Sequence, residues 1–292
     1  MEFVPKEKAT TIRQPSTANL MIDSADRDAA VYPLPNDFTI QRQNSILNGF
    51  FTRIGTTEVV LEWFAPNINA TNNTFSIIYG GVPVFAQGAL IPGFYNQAEA
   101  LEALAAALTI ITTPVTWSVV TSTPAVPGNG STAFLVPSAP ILVDLTGPLI
   151  TFLDLQRAAP IATPVDNTGN PIIAPVADLR PFRYIDFVSS QMTYNQALKD
   201  SSTAQIVRDV LARWYFAFDN PPALDQYNFP ILMGYSPFCL RRTFSPPKQI
   251  RWETNMPLGN LSFQLYGPNG DLILLPAISR TNWLMTLQVS EV

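Results

Sequence analysis

Residues 19–40 read NLMIDSADRDAAVYPLPNDFTI, and this stretch decides the fold. A short apolar strand start, Leu20-Met21-Ile22, runs into a charged turn, Asp23-Ser24-Ala25-Asp26-Arg27-Asp28. A proline-punctuated crossing through Pro33 and Pro35 follows, and a second strand opens at Asp37-Phe38. The alternating carboxylates of the turn suit a hard cation, but the glycine and the terminal glutamate of an EF-hand loop are missing and Arg27 competes for the site. The expectation is therefore a hydrogen-bonded turn in which Arg27 pairs with a carboxylate.

Around this stretch the composition points to β structure. The chain has 292 residues, 47% apolar and 13% charged, which excludes overall disorder and suits one large β domain or one domain with an insertion. Its 27 prolines are spread along the whole length. Proline is excluded from helix interiors and central strands, so this spread predicts many short strands separated by long loops. The net charge of −5 argues against a coat that neutralises nucleic-acid phosphates.

The chain contains no histidine, so it can form neither a Ser-His-Asp nor a Cys-His pair, nor a histidine metal site. The single cysteine, Cys239, rules out an intramolecular disulfide framework; set between Phe238 and Leu240, it reads as a small buried hydrophobe. No apolar stretch follows the charged residues 1–8, so no secretory signal is expected. Asn96, Asp144 and Asp154 interrupt the best membrane-spanning candidates. No pair of carboxylates is placed for catalysis, and the expectation is a non-enzyme with no cofactor and no metal.

Along the chain, residues 1–18 read as a flexible arm. Val59, Leu61 and Trp63 alternate with Glu58 and Glu62, which is a half-buried strand. Two short strands, Phe75 to Tyr79 and Val82 to Phe85, flank a Gly80-Gly81 turn. Asn96 and Glu99 form a capping box for a helix whose core stripe is Ala98, Leu101, Ala105 and Leu108, with Gln97 and Glu102 facing away and Thr113-Pro114 ending it. Strands are expected over Val115–Val120, Ala133–Val136, Ile141–Leu145 and Leu149–Leu155, and residues 156–181 read as a long return loop.

Strand patterns resume at Tyr184–Ser189. Asp200 to Thr203 offers a cap for a short helix over Ala204–Val210, and Arg213 and Tyr215 alternate with Trp214, Phe216 and Phe218. That aromatic strand reads as core plus subunit interface, since a base- or sugar-stacking platform needs its rings on one open face. Leu261, Phe263 and Leu265 lead into a Gly267-Pro268-Asn269-Gly270 turn, and Trp283, Met285, Leu287 and Val289 close the chain as a regular strand. The most basic segment, Arg241, Arg242, Lys248 and Arg251, reads either as a solvated loop or as a rim that meets an acidic neighbour in an assembly.

The segment NLMIDSADRDAAVYPLPNDFTI resembles the opening of the single jelly-roll penton (vertex) and minor capsid proteins of virophages, polinton-like viruses and related large DNA viruses. IPGFYNQAEALEALAAAL resembles the entry to the inserted domain of such proteins, and YIDFVSSQMTYNQAL, IVRDVLARWYFAF and NLSFQLYGPNGDLILL resemble their later strands. The resemblance implies a mainly β chain, a single jelly-roll barrel or sandwich with a small α+β insertion. The jelly roll would take residues 19–73 and 182–292, and the insertion with its return loop residues 74–181. Asp23, Ser24, Asp26, Arg27, Asp37 and Phe38 would form the structural motif of the opening strands.

The implied role is a homopentameric capsomer at the fivefold vertices of an icosahedral capsid. Such a protein is made in the infected host cell and resides in the virion. Its partners would be copies of itself, the surrounding major capsid protein capsomers and minor capsid proteins, with no specific nucleic acid and no membrane span. Two readings stay open beside it: a minor or cement capsid protein of the same barrel, and a carbohydrate-binding jelly roll for host attachment.

Overall fold

The computed structural model describes residues 17–41, 51–122, 132–157, 159–180, 182–192, 198–199, 207–208, 210–216, 226, 238–247, 249–251, 259–268, 270, 272–273 and 282–291. The chain opens with β1 (Thr17–Asp23), β2 (Asp37–Gln41) and β3 (Arg53–Trp63). Next come β4 (Thr74–Tyr79), β5 (Val84–Ala89), α1 (Gln97–Ile111), β6 (Trp117–Ser122), β7 (Thr132–Pro137), β8 (Val143–Thr146), α2 (Pro148–Phe152), β9 (Gln156–Arg157) and β10 (Ile172–Ala174). The last third supplies β11 (Tyr184–Val188), β12 (Leu198–Lys199), β13 (Val207–Arg208), β14 (Val210–Tyr215), β15 (Phe238–Thr243), β16 (Gln249–Arg251), β17 (Asn260–Tyr266) and β18 (Trp283–Ser290).

The pairing follows one rule. β1 pairs with β18, β2 with β17, β3 with β15 and β16, and β11 with β14, all antiparallel. The chain is thus a long antiparallel ribbon, first strand against last. Rolling the ribbon brings β18 against β3 and β17 against β11. Two facing sheets result, with orders β1-β18-β3-β15 and β14-β11-β17-β2. A ribbon rolled in this way is a jelly roll.

Period-two alternation fills the space between the sheets. Val59, Leu61 and Trp63 on β3, Leu261, Phe263 and Leu265 on β17, and Trp283, Met285, Leu287 and Val289 on β18 are all buried in one cluster. Trp283 sits at its centre, with ring centroids 5.5 Å from Phe38, 5.2 Å from Phe187 and 5.6 Å from Phe263. Thr56 Oγ1 donates across the sandwich to the Leu211 carbonyl at 3.2 Å.

The connection from β3 to β11 builds a second cluster, from Ile68 to Leu179. Here α1 packs beside two small sheets, β5-β4-β8 and β6-β7-β10-β9. The fold is mainly β, a jelly roll carrying an α+β insertion. Asn67, 1% exposed, ties the entry to the exit: its Nδ2 donates to the Tyr95 and Leu179 carbonyls and its Oδ1 accepts from the Ile68 and Tyr95 amides.

Several expectations are corrected in detail. β1 opens at Thr17, already paired with Ser290, two residues before the expected start. The α1 capping box forms as expected, but Gln97 faces inward and its amide holds the Pro175 carbonyl and the Ala177 N–H. Leu104 joins the buried stripe. The strand expected over Leu149–Leu155 is the short helix α2, because Gly147 turns the chain at φ +116° and Pro148 presets the first helical position. A Cβ on Gly147 would lie 3.0 Å from Phe75 Cα.

Inside the expected return loop, β9 and β10 pair with each other and β10 extends the β7 sheet. β5 opens at Val84, not Val82, leaving a four-residue turn with Gly80 at φ +87°. Of the helix expected over Ala204–Val210, Val207 and Arg208 pair as a strand with Leu198 and Lys199, Val210 opens β14, and residues 204–206 and 209 lie outside the described residues, as do the Asp200–Thr203 cap and Phe218. Cys239 is exposed: it pairs with Glu62, so the alternation of β15 points it outward with that carboxylate.

Candidate functional site

The Asp23–Phe38 segment is where the ribbon crosses from one sheet to the other. Asp23 caps a single 3-10 turn, Ser24–Asp26, by accepting from the Ala25 amide at 2.8 Å. Arg27 then closes the crossing. Its guanidinium donates to the carbonyls of Ser24 at 2.7 Å, Tyr32 at 3.0 Å and Pro33 at 3.3 Å. The expected carboxylate partner is therefore replaced by three backbone carbonyls, which a planar five-donor group satisfies simultaneously.

The remaining residues of this segment serve the same joint. Buried Ser24 accepts from the Trp283 amide at 2.8 Å, and the Trp283 indole donates to the Pro35 carbonyl at 2.8 Å. Phe38 is fully buried against Phe263 and Trp283. Asp37 accepts from Gln264 Nε2 at 3.2 Å across the β2–β17 pair. Asp26 is the acidic residue of the first turn. The hydroxyl of Ser24 and the indole of Trp283, far apart in sequence, lock the opening strand to the last one.

The basic segment is dispersed. Arg241 lies on the outer face of β15 and makes a bidentate pair with Glu58 of β3, Nε to Oε1 at 2.7 Å and Nη2 to Oε2 at 2.9 Å. Arg242 reaches the Tyr215 carbonyl at 3.5 Å. Arg251 pairs in register with Arg53 at the end of the sandwich remote from the insertion. Lys248 lies outside the described residues.

The aromatic strand divides as its alternation requires. Trp214 and Phe216 are buried in the core cluster and Tyr215 is 45% exposed. Opposite it, sequence reasoning missed a half-buried ion pair. Asp186, with a fully buried side chain, accepts from Arg213 Nε at 2.6 Å and Nη2 at 2.8 Å, and the guanidinium stacks 3.9 Å over the Tyr184 ring. The Asp186 hydrogen bonds, followed by its charge, hold the Arg213 pKa above its ordinary value against the opposing effect of burial. The available signal was a carboxylate inside the otherwise apolar Tyr184-Ile185-Asp186-Phe187-Val188.

Two carboxylates of the insertion are held low. Asp166 accepts from the amides of Gly169, Thr168 and Asn170, which pull its pKa well below the carboxylate range. Asp178 is partly desolvated, which raises its pKa, but the Arg180 hydrogen bonds and charge outweigh that and lower it. Arg180 in turn donates to the Phe216 carbonyl at 2.5 Å, linking the insertion exit to β14. Among the described residues no group of three or more Asp, Glu, Cys or His side chains gathers as a metal site, and no helix is long and apolar enough to cross a membrane.

No protein-family model and no curated protein matches the chain. Among solved structures, the crystal structure of the mavirus penton protein superposes on it with a TM-score of 0.51, at 12% identity, covering 96% of this chain and 100% of that one. The cryo-EM structure of the Sputnik virophage gives a TM-score of 0.46 at 14% identity, covering 95% of this chain and 98% of that chain. The first likeness establishes a shared fold that runs through both the rolled ribbon and its insertion.

Proposed function

We propose that the protein is a structural, non-catalytic component of a virion, a homopentameric capsomer at the fivefold vertices of an icosahedral capsid. The observation that carries this reading is the fold shared with the mavirus penton protein over nearly the whole of both chains. Physical features agree with it. A rolled ribbon leaves few free sheet edges, which suits a chain that accumulates to high concentration before assembly. A ring needs heterologous contacts, one side of each subunit matching the other side of the next.

Within this reading, residues 74–181 form the inserted domain and residues 19–73 and 182–292 the jelly roll. The Asp23–Phe38 joint sets the geometry of the opening strands. Arg242, Lys248 and Arg251 contact neighbouring subunits, with Arg241 already engaged by Glu58. The surrounding partners are major capsid protein capsomers, met by the N-terminal arm and the charged loops. Among the described residues, burial of Trp214 and Phe216 leaves Tyr215 as the exposed ring of that strand, short of the row that sugar stacking needs.

Native mass spectrometry of the purified chain tests the proposal. The monomer mass is 32.1 kDa, so a ring appears at about 160 kDa. A trimer instead would move the protein to another capsid role, and a persistent monomer that ignores added capsomer protein would overturn the vertex reading.

A further inference from the structure

Charge is segregated along this chain. The insertion, residues 74–181, carries six carboxylates, Glu99, Glu102, Asp144, Asp154, Asp166 and Asp178, against two cations, Arg157 and Arg180, for a net charge of −4. The whole chain is at −5, so the remaining residues sum to only −1. Within the acidic unit the charges leave large gaps. No charged residue lies between Glu62 and Glu99, and none between Glu102 and Asp144.

The gaps coincide with two of the unit's sheet edges. Its sheets, β5-β4-β8 and β6-β7-β10-β9, end on four strands. β8 carries Asp144 and β9 carries Arg157, the kind of charge that ordinarily guards an edge. β5 and β6 carry no charge at all. Instead they expose apolar side chains, Phe85 at 62% and Val120 at 47%, and Val82 in the turn before β5 is 82% exposed. Among the described residues, β5 pairs only with β4 and β6 only with β7, and the open part of the β6 edge begins after Trp117, whose amide donates to Thr109 Oγ1 of α1 at 2.8 Å. An unguarded, exposed apolar edge is a template for another strand.

We propose that these two edges meet in the assembled ring, β5 of one copy lying beside β6 of the next. The inference rests on the pentameric reading above. The occupant is a second copy for two reasons. Two units of net charge −4 repel, so their close approach runs through uncharged surface, and the unguarded edges are that surface. A cyclic ring also needs two different patches on each subunit, and the unit presents two different edges.

The test uses the full-length chain and two single variants, Phe85→Lys and Val120→Lys, both at exposed positions that leave the cores intact. Native mass spectrometry across a concentration series reads ring stability, and circular dichroism checks the fold. Each lysine places charge on one of the meeting edges and weakens the ring roughly tenfold or more in dissociation constant. Hydrogen exchange supplies a mutation-free readout: amides within residues 84–89 and 118–122 slow when the wild-type ring forms. Wild-type rings that both variants reproduce, with unchanged exchange at both edges, overturn this inference and leave the pentamer standing. A wild-type chain that stays monomeric overturns the pentamer and this inference together.

Discussion

The two cores of this molecule are built differently. The jelly-roll core depends on a few large rings, Trp63, Trp283, Phe38, Phe187, Phe216 and Phe263, all essentially inaccessible; Phe38, Phe187 and Phe263 converge on Trp283, while Trp63 meets Phe216 at 5.2 Å. The insertion core is mostly Leu, Ile, Val and Ala, with α1 contributing Ala98, Ala100, Leu101, Leu104, Ala105 and Leu108. The jelly roll joins strands far apart in the chain and needs bulky side chains to span the gap between two sheets. The insertion closes over short separations, where a small-residue helix face lies close on its sheets. Damage should therefore spread in the first region and stay local in the second.

The largest expected effect comes from breaking the aromatic convergence. Trp283→Ala removes ring contacts to Phe38, Phe187 and Phe263, the bond to Pro35, and leaves a cavity at the centre of the sandwich. The cost is about 3–5 kcal/mol, a large share of a domain's stability. Denaturant unfolding followed by circular dichroism should show the midpoint fall accordingly. A change under about 1 kcal/mol would mean that the sandwich repacks and that its rings are interchangeable filling.

A smaller and more local effect sharpens the contrast. Asn96→Ala removes the α1 capping box, in which Asn96 Oδ1 accepts from the Glu99 amide at 2.9 Å and Glu99 returns a bond to the Asn96 amide at 2.9 Å. The loss is about 1 kcal/mol. Trp117 reports on it, because its indole donates to Thr112 Oγ1 at 2.9 Å and its amide to Thr109 Oγ1 at 2.8 Å, both residues at the far end of α1. Hydrogen exchange should rise in α1 and β6 while β3 and β18 stay unchanged. Equal loosening of β3 and β18 would show that the two cores unfold as one unit.

Much of this architecture is legible from periodicity alone. The alternations of Val59-Leu61-Trp63 and Trp283-Met285-Leu287-Val289, the capping box and the Gly267–Gly270 turn, which closes with Gly270 N donating to the Gly267 carbonyl at 3.1 Å, all report local rules that the tertiary structure obeys. What periodicity misreads is set by distant partners. Gln97 looks like an outward helix residue until the Pro175 and Ala177 backbone needs satisfying. Cys239 looks like core until its strand lies at a sheet edge opposite Glu62. Arg27 looks like half of an ion pair until the crossing offers three carbonyls. Leu149–Leu155 looks like a strand until Gly147 and Pro148 start a helix.

The smallest expected effect concerns the outer face of the jelly roll. Arg241 and Glu58 form a well-aligned bidentate pair, but Arg241 is 67% exposed, and an exposed pair contributes between 0 and about 1 kcal/mol. Arg241→Ala should shift the unfolding midpoint within that range. It should also leave the ring population in native mass spectra as it was, because the guanidinium is satisfied within its own sandwich. If the ring instead dissociates while the monomer keeps its stability, Arg241 must leave Glu58 to reach the next subunit. The contact between copies would then run through the jelly roll as well as through the neutral edges of the acidic insertion.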